Sequence, residues 1–242
     1  MRSLVFTLVL LTGCGATSGD DGQDHTVLVF AAASLADVFA EVEAAFEAAH
    51  PGVDVQVNTA GSATLREQIL EGAPADVFAP ADPAAMDPVV AAGHTVSAPV
   101  ELARNTMQIG VPADDPAGVR GLEDLARAEL LVGLCTVSVP CGALARQLLA
   151  NAGVEPAVDT EEPDVGSLRT KLAVGELDVG IVYRTDVIAD DRLRGVDIAD
   201  AANVVATYPI AALRPGVARD FVAFATGPEG RRILVEHGFG TP

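Results

Sequence analysis

Tryptophan is absent from these 242 residues, tyrosine occurs twice, and aromatic residues make up 4% of the chain. Any core must therefore be assembled from Ala, Val, Leu and Ile, which a chain that is 50% hydrophobic can supply. Positive charge is scarce. Fifteen Lys and Arg stand against 34 Asp and Glu, a formal net charge of -19. That balance excludes a nucleic-acid interface, which needs a basic footprint. An anion bound here is bound against the overall charge, so local dipoles and hydrogen bonds must hold it. Catalytic signatures are missing as well. There is no Gly-x-Ser-x-Gly elbow, no His-Glu-x-x-His and no phosphate loop ending in Gly-Lys. The four histidines, His25, His50, His94 and His237, stand in no recognisable catalytic context. A serine nucleophile needs a base, so no enzyme is expected. Three cysteines without His or Cys partners at ligand spacing make no zinc site.

The chain opens with a targeting pattern. Met1-Arg-Ser supplies positive charge, and Leu4 to Leu11 is an apolar run too short to span a bilayer as a mature helix. Leu11-Thr-Gly-Cys14 resembles a bacterial lipobox, in which cleavage precedes a cysteine that becomes diacylated; an ordinary secretory signal is the other reading. Residues 1–14 are thus read as a lipoprotein signal with Cys14 as the lipid site. Residues 15–25, rich in Gly, Ser and Asp, are read as a flexible tether. Together they place the protein outside the cytoplasm, periplasmic or anchored to the cell membrane through Cys14. Cys135 and Cys141, six positions apart, either close a small disulfide loop or remain two buried thiols.

What the chain does have is a repeated construction. The apolar strand Val27–Phe30 runs through Ala31-Ala-Ala into a helix predicted to open at Ser34, with Ser34 and Asp37 resembling a capping box. Leu35, Val38, Phe39, Val42 and Phe46 recur on one face of that helix. Similar turn-to-helix junctions stand at Ser62, near Cys141 and near Val165. Helix N-termini carry unpaired N–H groups and the positive end of the dipole, so several converging on one point predict an oxyanion receptor. Further strands are expected at 53–57, 75–79, 106–111, 130–134, 178–183 and 204–212, and helices at 62–71, 82–92, 142–151, 165–174, 218–225 and 229–236, with a helical turn or two at 122–128. The alternation predicts an α/β fold with largely parallel sheets. Asp82-Pro83 reads as an N-cap followed by Pro at the first helical position. Arg66 is read as a surface residue.

The order of several segments resembles one family. They are Ala31-Ala-Ala-Ser-Leu35, Gly61-Ser-Ala-Thr-Leu65, Gly72 to Phe78 with Ala81-Asp82 and Met86, Ala103-Arg-Asn105, Val139-Pro-Cys-Gly142, Asp164-Val165, Gly180-Ile-Val-Tyr183 and Tyr208-Pro-Ile-Ala211. Together they are similar to the periplasmic molybdate-binding proteins of ABC importers. The resemblance implies a two-lobed periplasmic binding protein fold of type II with the ligand cleft between the lobes. Residues 26–103 plus 210–242 would form one lobe and 104–209 the other. It implies a ligand shell of Ser34, Ser62, Cys141, Val165 and Tyr183 around molybdate or tungstate, held as an oxyanion by neutral donors with no cofactor. Sulfate or phosphate is the alternative ligand. The implied partner is a membrane permease, and the receptor is expected to be a monomer. The family commonly has Ala where Cys141 stands; a backbone N–H survives that change.

Overall fold

The computed structural model describes residues 25–242, so the lipobox Cys14 and the tether lie outside the described residues, apart from the backbone of His25. The chain alternates strand and helix. In order come β1 (His25–Ala32), a short 3-10 turn (Ala33–Leu35), α1 (Ala36–Ala49), β2 (Val53–Ala60), α2 (Ser62–Leu70), β3 (Val77–Ala79), α3 (Pro83–Ala91) and β4 (Val100–Pro112). A second 3-10 turn (Leu122–Ala126) leads to β5 (Val132–Cys135), α4 (Pro140–Ala152), β6 (Val158–Glu162), α5 (Val165–Ala173), β7 (Val179–Tyr183), α6 (Arg184–Ile188) and β8 (Leu193–Val196). The chain closes with β9 (Val205–Ala212), α7 (Val217–Ala225) and α8 (Pro228–Glu236).

The strands form one path, β2-β1-β3-β9-β4-β7-β5-β6, with β8 beside β4. Pairs inside each half are parallel where a helix returns the chain: β1 with β2 and β3, β5 with β6 and β7. The pairs made by β4 and β9 are antiparallel. The expectation of largely parallel sheets is therefore corrected to a mixed sheet. The cause is β4, a strand of 13 residues that pairs β9 along its first part and β7 along its second. Alternation of apolar residues cannot report strand direction. Three elements have no counterpart in the sequence reading: β6 and β8, both polar and marginal, and α6, which is a single turn and a half.

The helix starts also needed correction. Ser34 does not cap α1; it lies in the 3-10 turn, Leu35 takes the N-cap position without a side-chain bond, and Asp37 pairs with Arg169. Asp82 does cap α3, accepting from the Ala85 N–H at 2.7 Å, with Pro83 at the first helical position. The core is mostly aliphatic, but not wholly so. Four phenylalanines meet where α1 packs on α7, with Phe46 ring-to-ring against Phe221 at 5.2 Å and Phe224 at 5.4 Å, while Phe30 and Phe78 stand on β1 and β3 in a second cluster.

Candidate functional site

Ser34, Ser62, Cys141, Val165 and Tyr183 are far apart in sequence, yet all five line one cavity. Ala32, Ala33, Gly61 and Ala81 complete one wall, and Val139, Pro140 and Asp164 the other. The cavity is narrow, about 10 Å³, room for roughly one small atom group and far below the roughly 300–1,000 Å³ of sites for drug-sized molecules.

The walls are helix beginnings. Ser62 is the first residue of α2 and Val165 the first of α5, positions whose N–H groups have no intrahelical acceptor. In α4 the first residue is Pro140, which has no N–H, so Cys141 carries the first donor of that helix. A disulfide joins Cys135, at the end of β5, to Cys141. The loop between them folds tightly over α4, for a Cβ on Gly142 would collide with the Thr136 carbonyl oxygen. The α4 entry is thus held by a covalent ring and by a glycine that nothing larger could replace.

The hydroxyls differ in what they already do. Ser62 Oγ accepts the Ala81 N–H at 3.0 Å. Ser34 Oγ lies 3.0 Å from the hydroxyl of Tyr208, on β9. Tyr183 ends β7, is 1% exposed, and its hydroxyl has no hydrogen-bond partner among the described residues. Burial raises its pKa well above the ordinary phenol value, and the neighbouring Tyr208, Asp186 and Asp82 add to the rise. Tyr183 is therefore a neutral, protonated donor. A buried polar atom without a partner is uncommon enough in folded proteins to call for a ligand or a water.

Carboxylates near the site are engaged by backbone N–H groups. Asp164 is the N-cap of α5 and accepts the Ser167 N–H at 2.8 Å. Asp186 is 2% exposed and accepts the Tyr183 backbone N–H at 2.9 Å. Burial pushes the Asp186 carboxyl up to about 7, against the opposing pull of that N–H and of Arg169. Burial also raises Asp82. Arg66 pairs with Glu67 and does not line the cavity. Among the described residues, no group of His, Cys, Asp and Glu is arranged to hold a metal cation.

The two walls touch. A Cβ on Gly61 would stand 2.8 Å from the Pro163 carbonyl oxygen, and Asp37 of α1 is ion-paired with Arg169 of α5. Tyr208, Ala81, Gly61 and Asp186 were not assigned roles by the sequence. Tyr208 and Asp186 bond across 174 and 3 positions, and only the latter spacing is local enough to be read from a chain.

Comparison with known proteins agrees with this architecture. The family model described as bacterial extracellular solute-binding protein matches residues 27–240. The molybdate-binding protein ModA of Mycobacterium tuberculosis H37Rv is 39% identical over 243 aligned residues, covering 96% of this chain and 93% of its own length. The periplasmic molybdate-binding protein of Azotobacter vinelandii superposes with a TM-score of 0.75 at 19% identity, over 89% of this chain and 99% of that one. The sulfate-binding protein SubI of M. tuberculosis superposes with a TM-score of 0.77 at 19% identity, over 89% of this chain and 86% of that one. The two superpositions show a shared fold, the two-lobed α/β architecture of type II periplasmic binding proteins with its cleft between the lobes. The near-complete family match and the mycobacterial relative show more: the chain belongs to the bacterial extracellular solute-binding proteins.

Proposed function

We propose that the protein captures molybdate, with tungstate as a near-equal ligand, outside the cytoplasm and releases it unchanged to an ABC importer permease. The observation that carries this reading is the Tyr183 hydroxyl, buried, protonated and unpartnered at a small cavity lined by two serines and three helix N-termini. The shell is Ser34, Ser62, Cys141, Val165 and Tyr183. It presents neutral donors, which suits a tetrahedral dianion with no proton of its own. Hydrogen phosphate carries a proton that needs an acceptor, and the donors of the shell are all neutral N–H and O–H groups. Sulfate lacks that proton and is the nearer competitor; its smaller radius leaves some donors short of contact. The name of the mycobacterial relative favours molybdate.

In this reading residues 26–103 and 210–242 form one lobe and 104–209 the other, with β4 and β9 as the crossings. The support is that these two strands pair each other from Val100↔Ile210 to Thr106↔Val205. Lipidation of Cys14, a tether over 15–25 and a monomeric receptor complete the proposal. Titration calorimetry on the chain from Gln23 onwards tests it with molybdate, tungstate, sulfate and phosphate in turn. One-to-one heat from the first two alone is expected. Heat from sulfate or phosphate alone overturns the ligand assignment, and silence from all four overturns the oxyanion site.

A further inference from the structure

We infer that Tyr208 is a positioning residue that sets the direction of the Ser34 hydroxyl, donating its own proton to Ser34 Oγ so that the Ser34 proton is aimed at the bound anion. The inference rests on the oxyanion reading of the cavity. Tyr208 is fully buried and does not itself line the cavity. Its ring is fixed edge-on between Tyr183, at 6.0 Å, and Phe239, at 5.7 Å. Its register position opposite Ala103 places it at the middle of the β4–β9 pair. The Tyr208 and Ser34 oxygens are 3.0 Å apart.

A hydroxyl has one proton, and between two hydroxyls either can donate. The choice decides what the site offers. If Ser34 donates to Tyr208, its lone pairs face the cavity and repel an anion. If Tyr208 donates, the Ser34 proton is free for the ligand. A dianion accepts and never donates, so it selects the second arrangement, a chain running Tyr208 O–H to Ser34 O–H to anion, in which each bond polarises the next. Burial raises the Tyr208 pKa against the opposing pull of Ser34, Asn105 and Tyr183, so the phenol stays protonated; Asn105 and Tyr183 face its oxygen as donors, which leaves its own proton for Ser34. Ser62 needs no such partner, because the Ala81 N–H can only donate to it. Two serines that look alike in sequence are thus directed by different means, one by backbone and one by a tyrosine.

The test is a double-mutant cycle read by molybdate titration. Tyr208→Phe is expected to weaken molybdate about three- to tenfold, the scale of one hydrogen bond. In a Ser34→Ala background the same change is expected to do nothing beyond about twofold. In a Ser62→Ala background its full effect is expected to persist. An equal loss in the Ser34→Ala background, or no loss in the wild-type background, overturns the inference and shows Tyr208 to be packing alone. If Tyr208→Phe loses its cooperative melt, the molybdate-bound wild type decides by NMR, where two tyrosines make the hydroxyl protons assignable. A Tyr208 hydroxyl proton donated to Ser34 supports the inference, and a Ser34 proton donated to Tyr208 overturns it. Wild type that binds none of the oxyanions removes the ligand reading itself, whereas molybdate binding with an additive cycle removes only the role of Tyr208.

Discussion

Tyr183 buries a hydroxyl that makes no hydrogen bond of ordinary length among the described residues, while Ser34 and Ser62 have their oxygens engaged. Removing that hydroxyl should act in opposite directions on stability and binding. Tyr183→Phe is expected to leave the empty protein as stable as before or more stable by about 1 kcal/mol, since an unsatisfied group is lost. The same variant should bind molybdate roughly 10- to 100-fold more weakly, the worth of a hydrogen bond to a charge. Thermal melts and calorimetry on the same samples read both signs, and a destabilised apo protein would mean that the hydroxyl has a partner. Asp186 gives a pH signature. Its folded pKa, about 7, exceeds the ordinary carboxylate value of 3.8. The folded state therefore binds the proton more tightly between those values, and stability falls as pH rises from about 4 to about 7. Asp186→Asn keeps an acceptor for the Tyr183 N–H and removes the charge. It is expected to raise the melting temperature at pH 8, by up to about 4 kcal/mol in stability, and to change it little at pH 4. A variant equally shifted at both values would show that the carboxyl is not the titrating group.

At the level of elements, α2, α4 and α5 turn their N-termini to one point, and the junctions before them are built to allow it. Gly61 precedes α2 with room for no side chain against Pro163. Because the crowding lies between the two walls, Gly61→Ala should hinder their approach more than the fold of either. Molybdate affinity is expected to fall roughly 5- to 100-fold, the cost of an overpacked contact, with the apo melt nearly unchanged. Unchanged affinity would mean that the walls need not meet around the ligand. The Cys135–Cys141 bridge closes a short ring at the α4 entry. Replacing both cysteines with serine is expected to cost roughly 2–3 kcal/mol in denaturant titration. Affinity should fall as well, because the loop from Thr136 to Pro140 loses its preorganisation before the Cys141 N–H meets the anion. Affinity equal to wild type would limit the bridge to stability.

The whole molecule carries a net charge of -19 and binds, in this proposal, a dianion. Approach is then opposed by the global field, while the bound state is held by buried dipoles and hydrogen bonds that salt screens poorly. The association rate for molybdate is expected to rise as ionic strength increases from 10 mM toward about 100 mM, where the screening length shrinks to about 10 Å, with dissociation nearly constant. Stopped-flow measurement decides it; an association rate that falls with salt would reveal a positive field at the cleft mouth that outweighs the total. Among the described residues no helix is long and apolar enough to cross a membrane.

Amphipathic spacing and turn residues were enough to place β1, α1, α4, α5, β7 and the two closing helices, since periodicity and chain breakers are local properties. They also marked Ser62, Cys141 and Val165 as helix starts, and Asp82 as a cap. The resemblance to one family named Ser34 and Tyr183 as well. Tertiary structure alone decided the rest. It showed that Ser34 is bonded to Tyr208 instead of capping α1, that β4 is long enough to make the sheet mixed, and that Gly61 yields to Pro163. The reason is physical: a hydroxyl's partner, a strand's direction and a glycine's neighbour depend on chain segments dozens of residues away, and no local pattern carries that distance.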